Sequence, residues 1–168
     1  QKGKYEIVIK KCLKILSEEK EILDILYLLG KAYLALNDIG NSRIYFHKAL
    51  ILSLNKYEIL KDIGSTYQAS GDYLLAKKFY IKSLEINKTY APAISNLAGI
   101  ESLIGNNKYA EKLYNEAINI DHKLLPAWIN LINLYITQDK LEKAESKIEN
   151  AVNLFPDNVN INFLSSQI

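Results

Sequence analysis

"GDYLLAKKFYIKSLEIN", Gly71 to Asn87, returns 34 residues later as "GNNKYAEKLYNEAINID", Gly105 to Asp121. The likeness is one of residue class. A turn residue opens each string, alanine stands at Ala76 and Ala110, and an aromatic follows at Tyr80 and Tyr114. The same step leads forward to Asp139 and back to Asn37 and Gly3. All five are residues that suit turns. Five places past them stand Val8, Ser42, Ala76, Ala110 and Ala144, and twelve past them Ile15, Ala49, Ser83, Ala117 and Ala151, mostly small in both sets. Nine past them stand Cys12, Phe46, Tyr80, Tyr114 and Ile148, large or apolar apart from the cysteine. No insertion or deletion interrupts the register, so the chain reads as an array of one repeated folding unit.

Between the turns, apolar residues recur at three and four, the helical period. Leu26, Leu29, Tyr33 and Leu36 mark one helix; Ile44, Tyr45 and Leu52 mark the next, with Lys48 on its wet side. Each unit is then a pair of helices of about a dozen residues, too short to persist alone in water. Stability has to come from stacking each pair on its neighbours. The small residues mark where helices approach closely: Gly30, Gly64 and Ala98 on first helices, Ala76, Ala110 and Ala144 on second helices. Ala49, Ala117 and Ala151 would let the following unit settle, and Tyr33, Tyr67 and Tyr135 fill the space beside these contacts.

Bulk composition excludes several classes of function. With 49% hydrophobic and 24% charged residues, the 168-residue chain has the balance of a folded domain and lies far from disorder. The 21 basic and 19 acidic residues leave a net charge of +2, which gives no global attraction to nucleic acid or anionic lipid. No apolar run reaches the roughly 18–20 residues that span a bilayer. The chain begins at Gln1 without an initiator methionine and reads as a trimmed piece of something longer. The lone Cys12 rules out an internal disulfide, points to a reducing, cytoplasmic setting, and sits at a packing position of the repeat.

Catalytic signatures do not emerge. His47 and His122 stand 75 positions apart with no clustered cysteine, so no metal site is expected. No phosphate loop or dinucleotide fingerprint occurs, "GIESLIG" belongs to a helix that runs up to the turn residue Gly105, and no cofactor is expected. The acid pair Glu18-Glu19 reads as solvent-facing at a helix end, and no catalytic residue is assigned. Lysines such as Lys10, Lys11, Lys14, Lys77, Lys78, Lys82, Lys112 and Lys147 fall on second helices and read mainly as a solvated face, with a diffuse RNA-backbone contact as the other reading.

The pattern resembles the tetratricopeptide repeat. The family signature runs through unit 57–90 as Leu60, Ile63-Gly64, Tyr67, Gly71, Ala76, Tyr80 and Ser83. Through 125–158 it runs as Trp128, Leu131-Ile132, Tyr135, Asp139, Ala144, Ile148, Ala151 and Pro156. Four units are expected, 23–56, 57–90, 91–124 and 125–158, in a single array over 1–168. Residues 1–22 form the second helix of a preceding unit and 159–168 the start of a further helix. The implied fold is all-α, a right-handed α-solenoid of antiparallel helix pairs. Departures from the pattern are Glu101 for a tyrosine, Asn107 for a bulky residue, Ile132 for the small residue of a first helix and Ser42 for that of a second. Local adjustment is expected at each.

The resemblance implies a concave groove lined by first helices. Its inward residues are Asp24, Tyr27, Leu28 and Lys31; Glu58, Lys61, Asp62 and Ser65; Ser95, Asn96 and Gly99; Ile129, Asn130 and Asn133. Asn96 and Asn130 lie one repeat apart, and an asparagine amide can donate to and accept from the main chain of an extended peptide. Asp62 and Leu28 take the corresponding places earlier. The carboxylate clamp of chaperone-binding relatives is matched only at Lys61 and Asn96, with Ser65, Pro126 and Asn130 at its other positions, which argues against a chaperone-tail receptor. The expected function is a scaffold that holds a peptide or helix of a protein partner in this groove. Other readings are the targeting or substrate-recruiting arm of a larger enzyme such as a glycosyltransferase, a helical-repeat RNA binder, and self-association through the array ends. No nucleic-acid partner and no membrane segment are expected under the favoured reading.

Overall fold

The computed structural model describes residues 2–18, 22–54 and 56–167. Glu19 of the acid pair therefore lies outside the described residues, as do 20–21, which belong to the expected leading unit. Among the described residues there are ten helices and no strand. The chain divides into two compact units, Gln1–Lys88 and Thr89–Ile168. The first holds α1 (Lys2–Glu18), α2 (Leu23–Ala35), α3 (Ile39–Leu52), α4 (Tyr57–Ala69) and α5 (Tyr73–Ile86). The second holds α6 (Ala91–Leu103), α7 (Asn107–Ile120), α8 (Leu125–Thr137), α9 (Leu141–Leu154) and α10 (Val159–Ser165).

Helix pairs are closed by one turn geometry, repeated. Asn37, Gly71, Gly105 and Asp139 have φ of 61°, 79°, 86° and 56°, the left-handed region. In each turn the N–H of the next residue donates to a carbonyl five residues back: Asp38 to Tyr33, Asp72 to Tyr67, Asn106 to Glu101 and Lys140 to Tyr135. That is the bond pattern of a Schellman close, which satisfies carbonyls left open at a helix end. Asp38 and Asp72 then cap the following helices, accepting from the N–H groups of Asn41 and Leu75 at 3.1 Å. Gly3, placed at a turn by the spacing, lies instead within α1, where no described helix precedes it for a turn to close.

Close approach within a pair depends on glycine. A methyl built on Gly30 would stand 2.5 Å from the Phe46 ring, and one on Gly64 would stand 2.6 Å from the Tyr80 ring. Both rings are fully buried. At the equivalent places in the second unit stand Ala98 with Tyr114, and Ile132 with Ile148, all buried. In the Ile132–Ile148 pair, bulk added to the first helix is matched by bulk removed from the second, whereas Ala98 and Tyr114 accommodate an added methyl beside an unchanged ring.

The departures have local solutions. Ser42 is fully buried, and its hydroxyl donates to the Gly30 carbonyl at 2.8 Å. Ser83 donates to the Tyr57 carbonyl at 2.7 Å. Each hydroxyl is thus admitted to a close contact by pairing with the facing helix, which removes the penalty of burying it alone. Glu101, buried, accepts from the Asn106 side-chain amide at 2.8 Å and so remains tied to its own turn.

Aromatic stacks repeat as well. Tyr33 lies on Tyr45 with ring centroids 5.4 Å apart, and Tyr67 lies on Phe79 at 5.3 Å, both pairs nearly parallel. Arg43 of α3 joins its pair to the next: its guanidinium sits 4.0 Å from the Tyr67 ring centroid and donates to the Thr66 hydroxyl and carbonyl and to Ser70. In the first unit, Leu26, Phe46, Ala49, Ile59 and Ile63 form the core on which these contacts rest.

Two outcomes test this account. Gly64→Ala should destabilise the chain by about 1–3 kcal/mol through overpacking against Tyr80, even though alanine is the better helix former. Adding Tyr80→Leu should relieve that clash, and the double-mutant cycle in denaturant should show a coupling of about 1 kcal/mol or more. Asp139→Gly should stabilise by about 0.5–1 kcal/mol in the same assay, because glycine enters the left-handed region without the steric cost of a side chain.

Candidate functional site

The residues expected at the groove fall in both units. In the first unit, α2 and α4 touch and bring Tyr27, Lys31, Lys61 and Asp62 together. The Tyr27 hydroxyl donates to Asp62 at 2.5 Å, and the Lys61 ammonium pairs with the same carboxylate. Lys31 lies 5.4 Å from the centroid of the Tyr27 ring. Asp62 is buried, so its carboxylate is occupied by its neighbours and the exposed charge here is that of Lys31. Ser65 is half-buried; it donates to the Lys61 carbonyl at 3.2 Å and accepts weakly from Tyr80, whose main partner is Gln68 at 2.7 Å.

Beside Tyr27 an open hollow of about 230 Å³ is lined by Leu23, Asp24, Tyr27, Ser53, Glu58 and Ile59. Asp24 and Glu58 border it, and Leu28 faces solvent one residue past Tyr27.

In the second unit, α6 and α8 touch and carry the remaining candidates. Pro92 and Pro126 stand in the first turns of these helices, where the missing N–H costs nothing and the fixed φ favours initiation. Ser95 is buried and Asn96 half-buried on α6. Gly99 is half-buried, and a methyl added there would meet the Tyr114 hydroxyl at 3.4 Å, an ordinary tight contact. On α8, Ile129 is half-buried, while Asn130 and Asn133 are exposed.

Sequence reading treats Tyr27 and Asp62 as separate groove residues; the structure couples them. The signal was a separation of 35, one repeat plus one residue, between a donor and an acceptor on consecutive first helices. It also assigned no partner to Arg43, whose contacts with α4 are described above.

A second polar cluster lies between α7, α8 and α9. Glu111 accepts from Lys143 at 2.8 Å, from the Tyr135 hydroxyl at 3.1 Å and from Lys140 at 3.5 Å. The Lys143 hydrogen bond holds the Glu111 carboxyl below the usual glutamate range, against partial burial, which pushes it up. Lys147 donates to the Asn115 side-chain carbonyl at 2.9 Å and lies 5.7 Å from the Trp128 centroid; burial lowers its pKa. The Trp128 indole donates to the His122 carbonyl at 2.9 Å. His47 lies against the edge of Phe79, and Cys12 is buried with its thiol pKa raised by that burial. Among the described residues, no group of three or more His, Cys, Asp or Glu is arranged to hold a metal ion, and no helix is long and apolar enough to cross a membrane.

The family model of the tetratricopeptide repeat matches residues 23–55 and 57–90. No curated protein matches the chain by sequence. Among solved structures, TTC0263, a thermophilic TPR protein in Thermus thermophilus, aligns with a TM-score of 0.85 at 17% identity, over 98% of this chain and 90% of that one. The APC/C hetero-tetramer Cut9-Hcn1 aligns with a TM-score of 0.82 at 13% identity, over 98% of this chain and 33% of that one. YrrB, a TPR protein with an unusual peptide-binding site, aligns with a TM-score of 0.68 at 17% identity, over 99% of this chain and 85% of that one. At these identities the shared property is the fold.

The Glu111 cluster makes a pH prediction. A carboxyl whose folded pKa is depressed contributes stability above its unfolded value, and that stability is lost as pH falls through the folded value. Glu111→Gln should therefore reduce stability near pH 7 and lose less than the wild type between about pH 5 and pH 3, followed by thermal unfolding across pH.

Proposed function

This chain carries tetratricopeptide repeats and has their fold, an α-solenoid of antiparallel helix pairs, and from that premise we propose that it is a protein-interaction scaffold that holds a partner peptide against its first helices. The observation that carries this reading is the pair Asn96 and Asn130, one repeat apart on the touching helices α6 and α8. Asn133 adds an exposed amide one turn along α8, and Ile129 offers an apolar contact beside them. Amides in that arrangement can bond the main chain of an extended segment and leave side-chain choice to neighbouring contacts. Short helices locked by buried rings form a surface that loses little entropy on binding, so modest contacts suffice. In the other unit, Lys31 offers positive charge beside the Tyr27–Asp62–Lys61 cluster. The segment binds and does not catalyse, in a soluble, cytoplasmic setting.

A peptide display library selected on the chain supplies a test ligand for calorimetry. Asn130→Ala, at an exposed position, should weaken binding severalfold, and Asn130→Ala with Asn96→Ala by roughly tenfold or more, given about 1 kcal/mol per hydrogen bond lost. Unchanged helicity and thermal midpoint would assign the loss to the surface. Affinity that survives both substitutions would remove the groove from this face.

A further inference from the structure

The outer face of α5 carries a feature the repeat does not require. Leu74 and Ile81, seven residues apart and hence on one side of the helix, are 79% and 39% exposed. One repeat back, their places are taken by Gly40 and His47; in the following repeats, by Lys108 and Asn115, then Glu142 and Glu149. Four pairs share one scaffold, so an apolar residue at these two places serves no common packing need. Leu74 and Ile81 are exposed at a cost in solubility that a docking surface would explain.

The surroundings define the occupant. An open hollow of about 330 Å³ is lined by Leu74, Ile81, Lys77, Lys78, Lys82 and Glu85. Lys78 and Lys82 are exposed, and Lys82 is steadied 5.5 Å from the Phe79 ring centroid. Glu85 is the one acidic residue in α5, against three lysines. The second helices of the other unit differ: α7 sets Glu111 and Glu116 against Lys108 and Lys112, and α9 sets three glutamates against two lysines. Basic charge and exposed apolar surface coincide on α5, as they do on α3 with Ile44, Ile51, Arg43 and Lys48, and on α5 three lysines flank the stripe. The stripe from residue 74 to residue 85 extends about 16 Å, the length of three helical turns. An apolar stripe of that length flanked by lysines matches one face of an amphipathic helix that carries carboxylates along its edges.

We propose that the outer face of α5, around Leu74 and Ile81, is a second docking surface, and that it receives an acidic amphipathic helix of a protein partner. Leucine-type side chains of that helix would cover Leu74 and Ile81, and its carboxylates would meet Lys78 and Lys82. This surface is independent of the first-helix groove.

The test is fluorescence anisotropy with a labelled synthetic peptide that has leucines at helical spacing on one face and glutamates on the flanks. The intact chain should bind it saturably, and the affinity should fall severalfold between about 50 mM and 300 mM salt as the charges are screened. Leu74→Ser with Ile81→Ser should weaken binding at least tenfold, while Asn130→Ala should leave it unchanged. Lys78→Glu with Lys82→Glu supplies a second variant that alters no apolar contact and should also abolish binding. The proposal is overturned if the acidic peptide does not bind, if a peptide with lysines in place of the glutamates binds as tightly, or if both α5 variants bind as the wild type does. It is overturned equally if phosphatidylserine vesicles bind through this face and the peptide does not.

Discussion

In the first two complete helix pairs, a ring of the second helix lies where the first helix has no side chain. Phe46 fills the space over Gly30, and Tyr80 the space over Gly64, at distances that exclude even a methyl group. Helices of 13 and 14 residues gain too little from their own hydrogen bonds to persist. Their stability comes from burying rings of this size at close range. The left-handed turn at Asn37 or Gly71 reverses the chain within a few residues, so the second helix meets the first with the ring over the glycine. At Gly30 and Gly64 an added side chain would have to displace the ring that lies over it.

The irregular units show how much this constraint tolerates. Ile132 with Ile148 redistributes volume between the two helices and leaves both buried. Ser42 and Ser83 bring hydroxyls into close contacts that alanine would fill, and each bonds a carbonyl of the facing helix. Between pairs, the solutions are electrostatic and differ by unit. Arg43 stacks on Tyr67 in one, while Glu111 gathers Tyr135, Lys140 and Lys143 in the other. Position 111 is position 43 displaced by two repeats, and Tyr135 is Tyr67 displaced by the same amount. A tyrosine is thus engaged from the same place by residues of opposite charge, through its ring face in one case and its hydroxyl in the other.

A scaffold with this division of labour leaves function to residues that packing does not use. Asn130, Asn133 and Lys31 on first helices are exposed and contribute to neither ring packing between helices nor turn. Leu74 and Ile81 on α5 are exposed in the same sense, with the opposite polarity. Asp62 differs: it looks like a surface acid in the repeat register but is buried under Tyr27 and Lys61. Its part in recognition would be to orient Tyr27 and Lys61, since its own carboxylate is occupied.

The sequence by itself determined the all-helical fold, the spacing of the turns and the small-residue contacts, because these depend on residue class at fixed separation. The turn residues from Asn37 to Asp139, Gly30, Gly64, Phe46 and Tyr80 could be assigned without coordinates, since small or permissive residues recur where helices cross or the chain reverses, with Ile132 the exception and Gly3 lying within a helix. Only the tertiary structure decided which exposed-looking residues are occupied. Tyr27 with Asp62, Arg43 with Thr66 and Ser70, and Glu111 with Lys143 join residues 23 to 35 positions apart. Such bonds form or fail over a few tenths of an ångström, set by how each helix is turned about its axis. Periodicity brings these residues near one another, but it does not fix that rotation.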